Sequence, residues 1–189
     1  MLIFGNGEFA AVMQAEFNEC DLTVHRRYIK GAENPFEDAK PQHLIIAVGY
    51  KHRKAIFNEA VGRGFIPHSW RSEFALVNEI SSVGRGSIIF ELNNVQPFST
   101  IGENTVLWSG NHIGHHSRIG SHCFITSHVC IGGGATIGDS CFIGMNATVF
   151  DHVTIGNDCV IAAGAVVDRD IPAGHTLSRK GVLVANDRA

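Results

Sequence analysis

The sequence predicts a two-part chain: an α/β front segment on a parallel sheet, then a parallel β-helix made of hexapeptide repeats. Three observations carry this. From Val77 to Val167 every sixth residue is aliphatic, sixteen times in succession. Glycine follows that residue in eight of the repeats, and a small residue such as Ser87, Ser117, Cys141 or Ala165 stands two places before it. Upstream of the repeats, short apolar strands alternate with helical stretches instead.

In the front segment, Leu2–Phe4 reads as a strand running into Gly5-Asn6-Gly7-Glu8-Phe9-Ala10, a G-x-G-x-x-A turn. A helix follows, with Phe9, Val12, Met13 and Phe17 on one face. Leu22–Val24 forms a second strand and Leu44–Val48 a third. Gly49 opens a helix from about Lys51 to Arg63, and Phe65-Ile66 is a last strand. Strands alternating with helices imply a parallel sheet whose ligand crevice lies at the strand carboxyl ends. The residues there are Gly5, Asn6 and Gly7, then His25, Arg26 and Arg27, then Gly49, Tyr50 and Lys51. A glycine-rich turn between strand and helix is the context in which backbone N–H groups cradle a phosphate. The cations of Lys51-His52-Arg53-Lys54 oppose the helix dipole, which a bound phosphate would offset; a solvated helix end is the plainer alternative. Some 67 residues make only half of a dinucleotide-binding fold, which favours a nucleotide-linked ligand over NAD.

The six-residue period fits neither an amphipathic helix nor a simple alternating strand. It is that of a parallel β-helix, in which three short strands make one triangular coil. The aliphatic residue and the small residue before it point into a narrow lumen. Sixteen repeats make about five coils, and at roughly 4.8 Å per coil the prism is about 25 Å tall. No insertion interrupts the repeats, so an active site must use coil surface, a neighbouring subunit or the front segment. The boundaries expected are 1–70 for the front domain, 71–172 for the β-helix and 173–189 for a C-terminal tail.

Composition narrows the function classes. Charged residues make up 17% and the net charge is −3, which offers no electrostatic case for nucleic acid or an anionic membrane. The first residues show neither a basic region nor a long apolar one, so no signal peptide is expected, and no apolar run reaches membrane-span length. Five cysteines with no C-x-x-C pair argue against a disulfide framework and for a reduced, cytoplasmic setting. Cys123, Cys141 and Cys159 lie eighteen apart and should stack in the lumen as small apolar residues.

Histidine is abundant, at 11 residues. Counting from the aliphatic residue of each repeat, His116, His122, His128 and His152 all hold place three, where Asn104, Asn146 and Asp158 also occur. Such a corner suits a left-handed backbone, which Asn, Asp and His tolerate. His115 holds place two, points outward and has no such reason. One coil later stands Gly133, within Gly132-Gly133-Gly134. A His115 base and a Gly133 N–H as oxyanion donor would suit acyl transfer from a thioester lying close to the glycine backbone.

A G-x-G front segment followed by uninterrupted repeats resembles the hexapeptide-repeat sugar acyltransferases of the PglD and NeuD type, over nearly the whole chain. The resemblance implies a half-Rossmann-like front domain, a left-handed β-helix and a homotrimer. It also implies transfer of acetyl from acetyl-CoA to an amino group on a nucleotide-linked sugar, with no metal. The family's catalytic segment matches Ile113-Gly114-His115-His116-Ser117-Arg118-Ile119-Gly120, which places the base at His115. The carboxylate that follows the family's histidine is His116 here, and a second coenzyme-touching histidine corresponds to Phe124. His112, His122 or His128 could substitute for it. The family's acidic pair after the second strand is His25-Arg26, while Gly49 and Tyr50 match the third-strand edge. By the same resemblance coenzyme A runs past Gly133, Met145 and Ala163. Arg169, with Arg179 and Lys180, would meet its phosphates, and Trp108 would lie at an interface or against ligand.

Two rivals share the prism. A sugar O-acetyltransferase would use the same base and oxyanion donor on a hydroxyl. A zinc carbonic-anhydrase-like protein would use three histidines: His116 and His152 have the right separation, but the third position is Asn157. A non-catalytic scaffold is a third reading, against which the exposed His115 above Gly133 counts.

Overall fold

The computed structural model describes residues 2–5, 8–16, 23–25 and 43–186. The chain divides into two compact units, Met1–Ser69 and Trp70–Ala189. In the first, β1 (Leu2–Phe4), β2 (Thr23–His25), β3 (His43–Ile46) and β4 (Ile66–Pro67) form a parallel sheet in the order β2-β1-β3-β4. Helices α1 (Glu8–Glu16) and α2 (Tyr50–Gly62) connect along the chain. The expected strands shift slightly: the second begins at Thr23, and the third ends at Ile46, two residues short of Val48. Phe17, Leu22, Asn6, Gly7, Arg26 and Arg27 lie outside the described residues.

Arg53 departs from its reading as part of a surface cation run. It shares the inward face of α2 with Ile56, Phe57 and Ala60, only 1% exposed, and its Nη1 donates to the Ile46 carbonyl. Burial pushes its ionisation down to about 9, which still leaves it charged near neutrality. A guanidinium held inside the unit by a main-chain acceptor is not one presented to a phosphate.

The second unit is a parallel β-solenoid. Its two-residue strands, from Trp70–Arg71 to Val166–Val167, fall into three faces whose partners stand eighteen residues apart, as in Ile113↔Ile131 and Ile101↔Ile119. One face has five strands, one six and one eight. After 172 the chain adds two strands to the eight-stranded face: His175–Leu177, parallel to Val160–Ile161, and Leu183–Ala185, antiparallel to it. No helix among the described residues is long and apolar enough to cross a membrane.

The period follows from the lumen. Ile113, Ile125, Ile131, Ile143, Ile155 and Ile161 are all fully buried and pack in one continuous core. Where the place two before the aliphatic residue carries a hydroxyl or a thiol, that group has a partner in the next coil. Ser117 Oγ donates to the Gly132 carbonyl at 2.9 Å, and Thr105 Oγ1 to the Gly120 carbonyl at 2.9 Å, so the lumen satisfies corner carbonyls of the next coil. Cys123 and Cys141 do the same through sulfur, at 3.1 Å to the carbonyls of Gly138 and Gly156. The hydrogen bond with Cys123, then burial, pushes the Cys141 thiol far up; burial also raises Cys159. These thiols are structural.

The glycine after each aliphatic residue reflects close coils. A Cβ on Gly102 would stand 2.5 Å from the Gly120 carbonyl carbon and the Ser121 nitrogen of the next coil. Two residues later the backbone turns left-handed at fourteen successive corners, Gly86 to Gly164, with φ between 55° and 77°. His116, His122, His128 and His152 are four of these.

Candidate active site

His115 and His116 lie on the corner that carries the chain from the six-stranded face to the five-stranded one. The strand His112–Ile113 delivers them, paired on one side with Asn94–Val95 and on the other with Cys130–Ile131. Both imidazoles are exposed. The His115 N–H donates to Gln96 Oε1 of the preceding coil at 3.0 Å, which fixes the backbone of the corner. Its Nδ1 stands 3.1 Å from His116 Nδ1, with the rings nearly perpendicular at 87°. The other edge faces the next coil: a Cβ on Gly133 would lie 2.9 Å from both Cε1 and Nε2 of His115. The glycine therefore lets the imidazole lie against the next coil.

The Gly133 N–H already has a partner. It donates to Asp151 Oδ1 at 2.7 Å and is not vacant for an incoming oxygen. The contact belongs to a corner ladder, since Asp139 Oδ1 accepts from Ser121 N–H and Asn157 Oδ1 from Asp139 N–H in the same way. The neighbouring Gly132 and Gly134 N–H groups donate to the main-chain carbonyls of Val149 and His115. Of the three, only Gly133 has a side-chain partner that a rotamer change can withdraw.

The expected coenzyme residues do not all meet on one prism. Met145 and Ala163 lie on the corner that precedes the six-stranded face, whereas Gly133 lies on the corner that follows it, with the width of the face between. Met145 is 53% exposed. Arg169 continues the His115 column, but its guanidinium is engaged with Asp168 at 3.0 Å and with the Gly181 carbonyl at 3.2 Å. Such an exposed ion pair contributes little to stability. In the first unit, Gly5 has a packing role, because a Cβ there would stand 2.3 Å from the Ala47 oxygen. Gly49 is the N-cap of α2, with open space around its Cα and no side-chain cap. Tyr50 is the first residue of that helix, and His25 ends β2.

The remaining histidines disperse. His122 Nδ1 lies 2.9 Å from Asn104 Nδ2, the His128 ring covers Gly110, and the His152 ring covers Gly134. Among the described residues no three His, Cys, Asp or Glu side chains are grouped to hold a metal ion. Trp108 stacks on Phe90 at 4.4 Å and Phe124 on Phe142 at 6.1 Å, an aromatic column along the eight-stranded face. Gln96, Phe98 and Asp151 were not singled out from sequence. Asp151 does share the eighteen-residue column of His115 and Gly133, and Phe98, like Leu92 before it, departs from the small or polar residues that hold place three from Asn104 onward. A cavity of about 710 Å³ opens next to this corner on the earlier coils, lined in part by Arg71, Asn78, Glu79, Asn94, Gln96 and Pro97.

Residues 98–133 and 134–169 match the bacterial transferase hexapeptide family (six repeats). No curated protein sequence matches the chain significantly. Among solved structures, PerB from Caulobacter crescentus, in complex with CoA and GDP-perosamine, is similar at TM-score 0.80 and 22% identity, over 94% of this chain and 92% of that one. WeeI from Acinetobacter baumannii is similar at TM-score 0.77 and 16% identity, over 97% and 100%. The acetyltransferase domain of PglB from Neisseria gonorrhoeae, in complex with acetyl coenzyme A, reaches TM-score 0.58 at 21% identity, over 94% and 95%. His115, Gly133 and Asp151 all fall within the coils at 98–169 that match this family.

Proposed function

We propose that the protein is an acetyl-CoA-dependent acetyltransferase that acylates the amino group of a nucleotide-linked sugar. The observation that carries this reading is the exposed His115 ring poised over Gly133 on a hexapeptide corner. The amine nitrogen attacks the thioester carbonyl carbon while His115 Nε2 takes a proton from it. Negative charge gathers on the carbonyl oxygen, which the Gly133 N–H receives once Asp151 has turned away. Collapse breaks the C–S bond, and the proton on His115 leaves with the thiol of coenzyme A. His116 supports the base on its far side. The fold shared with PerB, solved with CoA and GDP-perosamine, supports the choice of donor and acceptor.

In this reading the front domain, 1–70, is half-Rossmann-like and holds the nucleotide at Gly5, Asn6, Gly7, His25, Arg26, Gly49 and Tyr50. The β-helix is left-handed, as in the family. Coenzyme A lies along it at Gly133, Met145, Ala163 and Arg169, and a homotrimer brings the separated corners together. Exposed Leu76, Met145, Phe150 and Val166 on or beside the six-stranded face suit burial against a second copy. The test mixes acetyl-CoA with a panel of nucleotide-linked amino and hydroxyl sugars and follows free thiol. Thiol release only with amino sugars supports the assignment. Release only with hydroxyl sugars would move it to O-acetylation, and none with any acyl-CoA would remove the enzyme reading.

Two further outcomes are expected. Asp151→Ala withdraws the competitor from the Gly133 N–H, so kcat should rise severalfold in initial-rate measurements, whereas a steep fall would give Asp151 a catalytic part. The acceptor enters through the cavity beside Gln96, so Asn94→Ala should raise the KM for the sugar and leave that for acetyl-CoA unchanged. Equal shifts in both would place the acceptor elsewhere.

A further inference from the structure

We propose that Phe98 and His116 form a positioning relay that locks His115 in the tautomer a base requires. This rests on His115 being the base. At 3.1 Å, the two facing Nδ1 atoms can share a single proton, one donating and the other accepting. If His116 donates, His115 carries its own proton on Nε2, the ring nitrogen nearer the Gly133 notch, and cannot accept another there. If His115 donates, its Nε2 lone pair faces the glycine notch. His116 then keeps its proton on Nε2 and works as a neutral acceptor, doing by hydrogen bonding what a carboxylate would do by charge. When His115 takes the substrate proton, the same contact becomes a charge-assisted bond to a neutral imidazole.

The geometry holds His116 for this task from two directions. Its backbone is left-handed, φ 60°, and its ring stacks on Phe98 at 4.8 Å with an interplanar angle of 28°. Phe98 itself sits at φ 62°, a conformation bulky side chains rarely adopt, and remains 53% exposed. A strained, exposed aromatic gains little from burial, and its ring packs against the candidate site. Leu92 occupies the equivalent place at φ 58° without such a ring contact, and serves as the control.

The test separates position from strain. His116→Gly suits the left-handed corner, as Gly134 does one coil later, and removes the acceptor. It should lower kcat by about one to two orders of magnitude with both KM values unchanged. His116→Asn also suits the corner and offers an Oδ1 acceptor, so it should recover part of that loss. Phe98→Asn relieves strain and removes the stack: the protein should melt no lower than wild type, yet turn over more slowly. Leu92→Asn should match its stability without touching the rate. Nitrogen-15 NMR of the imidazoles reads the tautomer directly, with His115 protonated at Nδ1 in wild type and a mixture in His116→Gly. Unchanged kcat and tautomer in His116→Gly would overturn the relay even if His115→Ala is inactive. The expected tautomer with an active His115→Ala would instead remove the base, leaving a His115–His116 hydrogen bond with no part in turnover.

Discussion

His115→Ala is expected to lower kcat with acetyl-CoA and an amino-sugar acceptor by about 10²–10⁴-fold, the range spanned by general-base catalysis. KM for either substrate should barely move, because the imidazole edge meets the reacting atoms and does not anchor the remote parts of either molecule. The protein should remain folded. His115 is exposed and lies outside the lumen, and the Gln96 contact is made by its backbone N–H, which alanine retains. Thiol release under saturating substrates gives kcat, and far-ultraviolet circular dichroism checks the fold. Equal turnover by variant and wild type would sink the role of His115 while leaving the solenoid intact.

The largest effect on stability is expected one coil away, inside the lumen. Ile131 is fully buried, and the backbone around it is pinned from both sides: the Gly114 N–H donates to its carbonyl at 2.8 Å, and the Gly132 N–H donates to the Val149 carbonyl at 2.9 Å. Coils held at hydrogen-bonding distance cannot close around a missing side chain, so Ile131→Ala leaves a cavity. The expected loss is about 2–5 kcal/mol, read from the shift of the urea midpoint at constant slope. Each coil buries its apolar side chains only against its neighbours, so no distant coil offsets the loss. A loss below about 1 kcal/mol would show that the lumen relaxes, contrary to close packing.

The period was legible because each place in a repeat meets one constraint over and over. An aliphatic residue fills the lumen, a small donor caps the next coil's carbonyl, and glycine admits the next coil's backbone. The left-handed corners were legible for the same reason at Asn104, Asn146 and Asp158, though not at Leu92 or Phe98, whose types argue against them. Arg53 was misread because a cation run looks alike whether solvated or not. Its spacing to Ile56, Phe57 and Ala60 was the available signal, a helical stripe with a charge in it.

By itself the sequence determined the repeat architecture, the parallel strand–helix alternation ahead of it, and the column that stacks His115 over Gly133. All three depend on spacing, and spacing along the chain becomes stacking wherever a coil repeats every eighteen residues. What only the tertiary structure decided is which partner each polar atom takes. Asp151 lies eighteen residues from the N–H it occupies, and Met145 is parted from Gly133 by the width of a face. The His115 and His116 rings meet through their Nδ1 atoms because a left-handed residue follows an ordinary one at the corner. Hydrogen bonds depend on direction over a few tenths of an ångström, and no residue spacing encodes that.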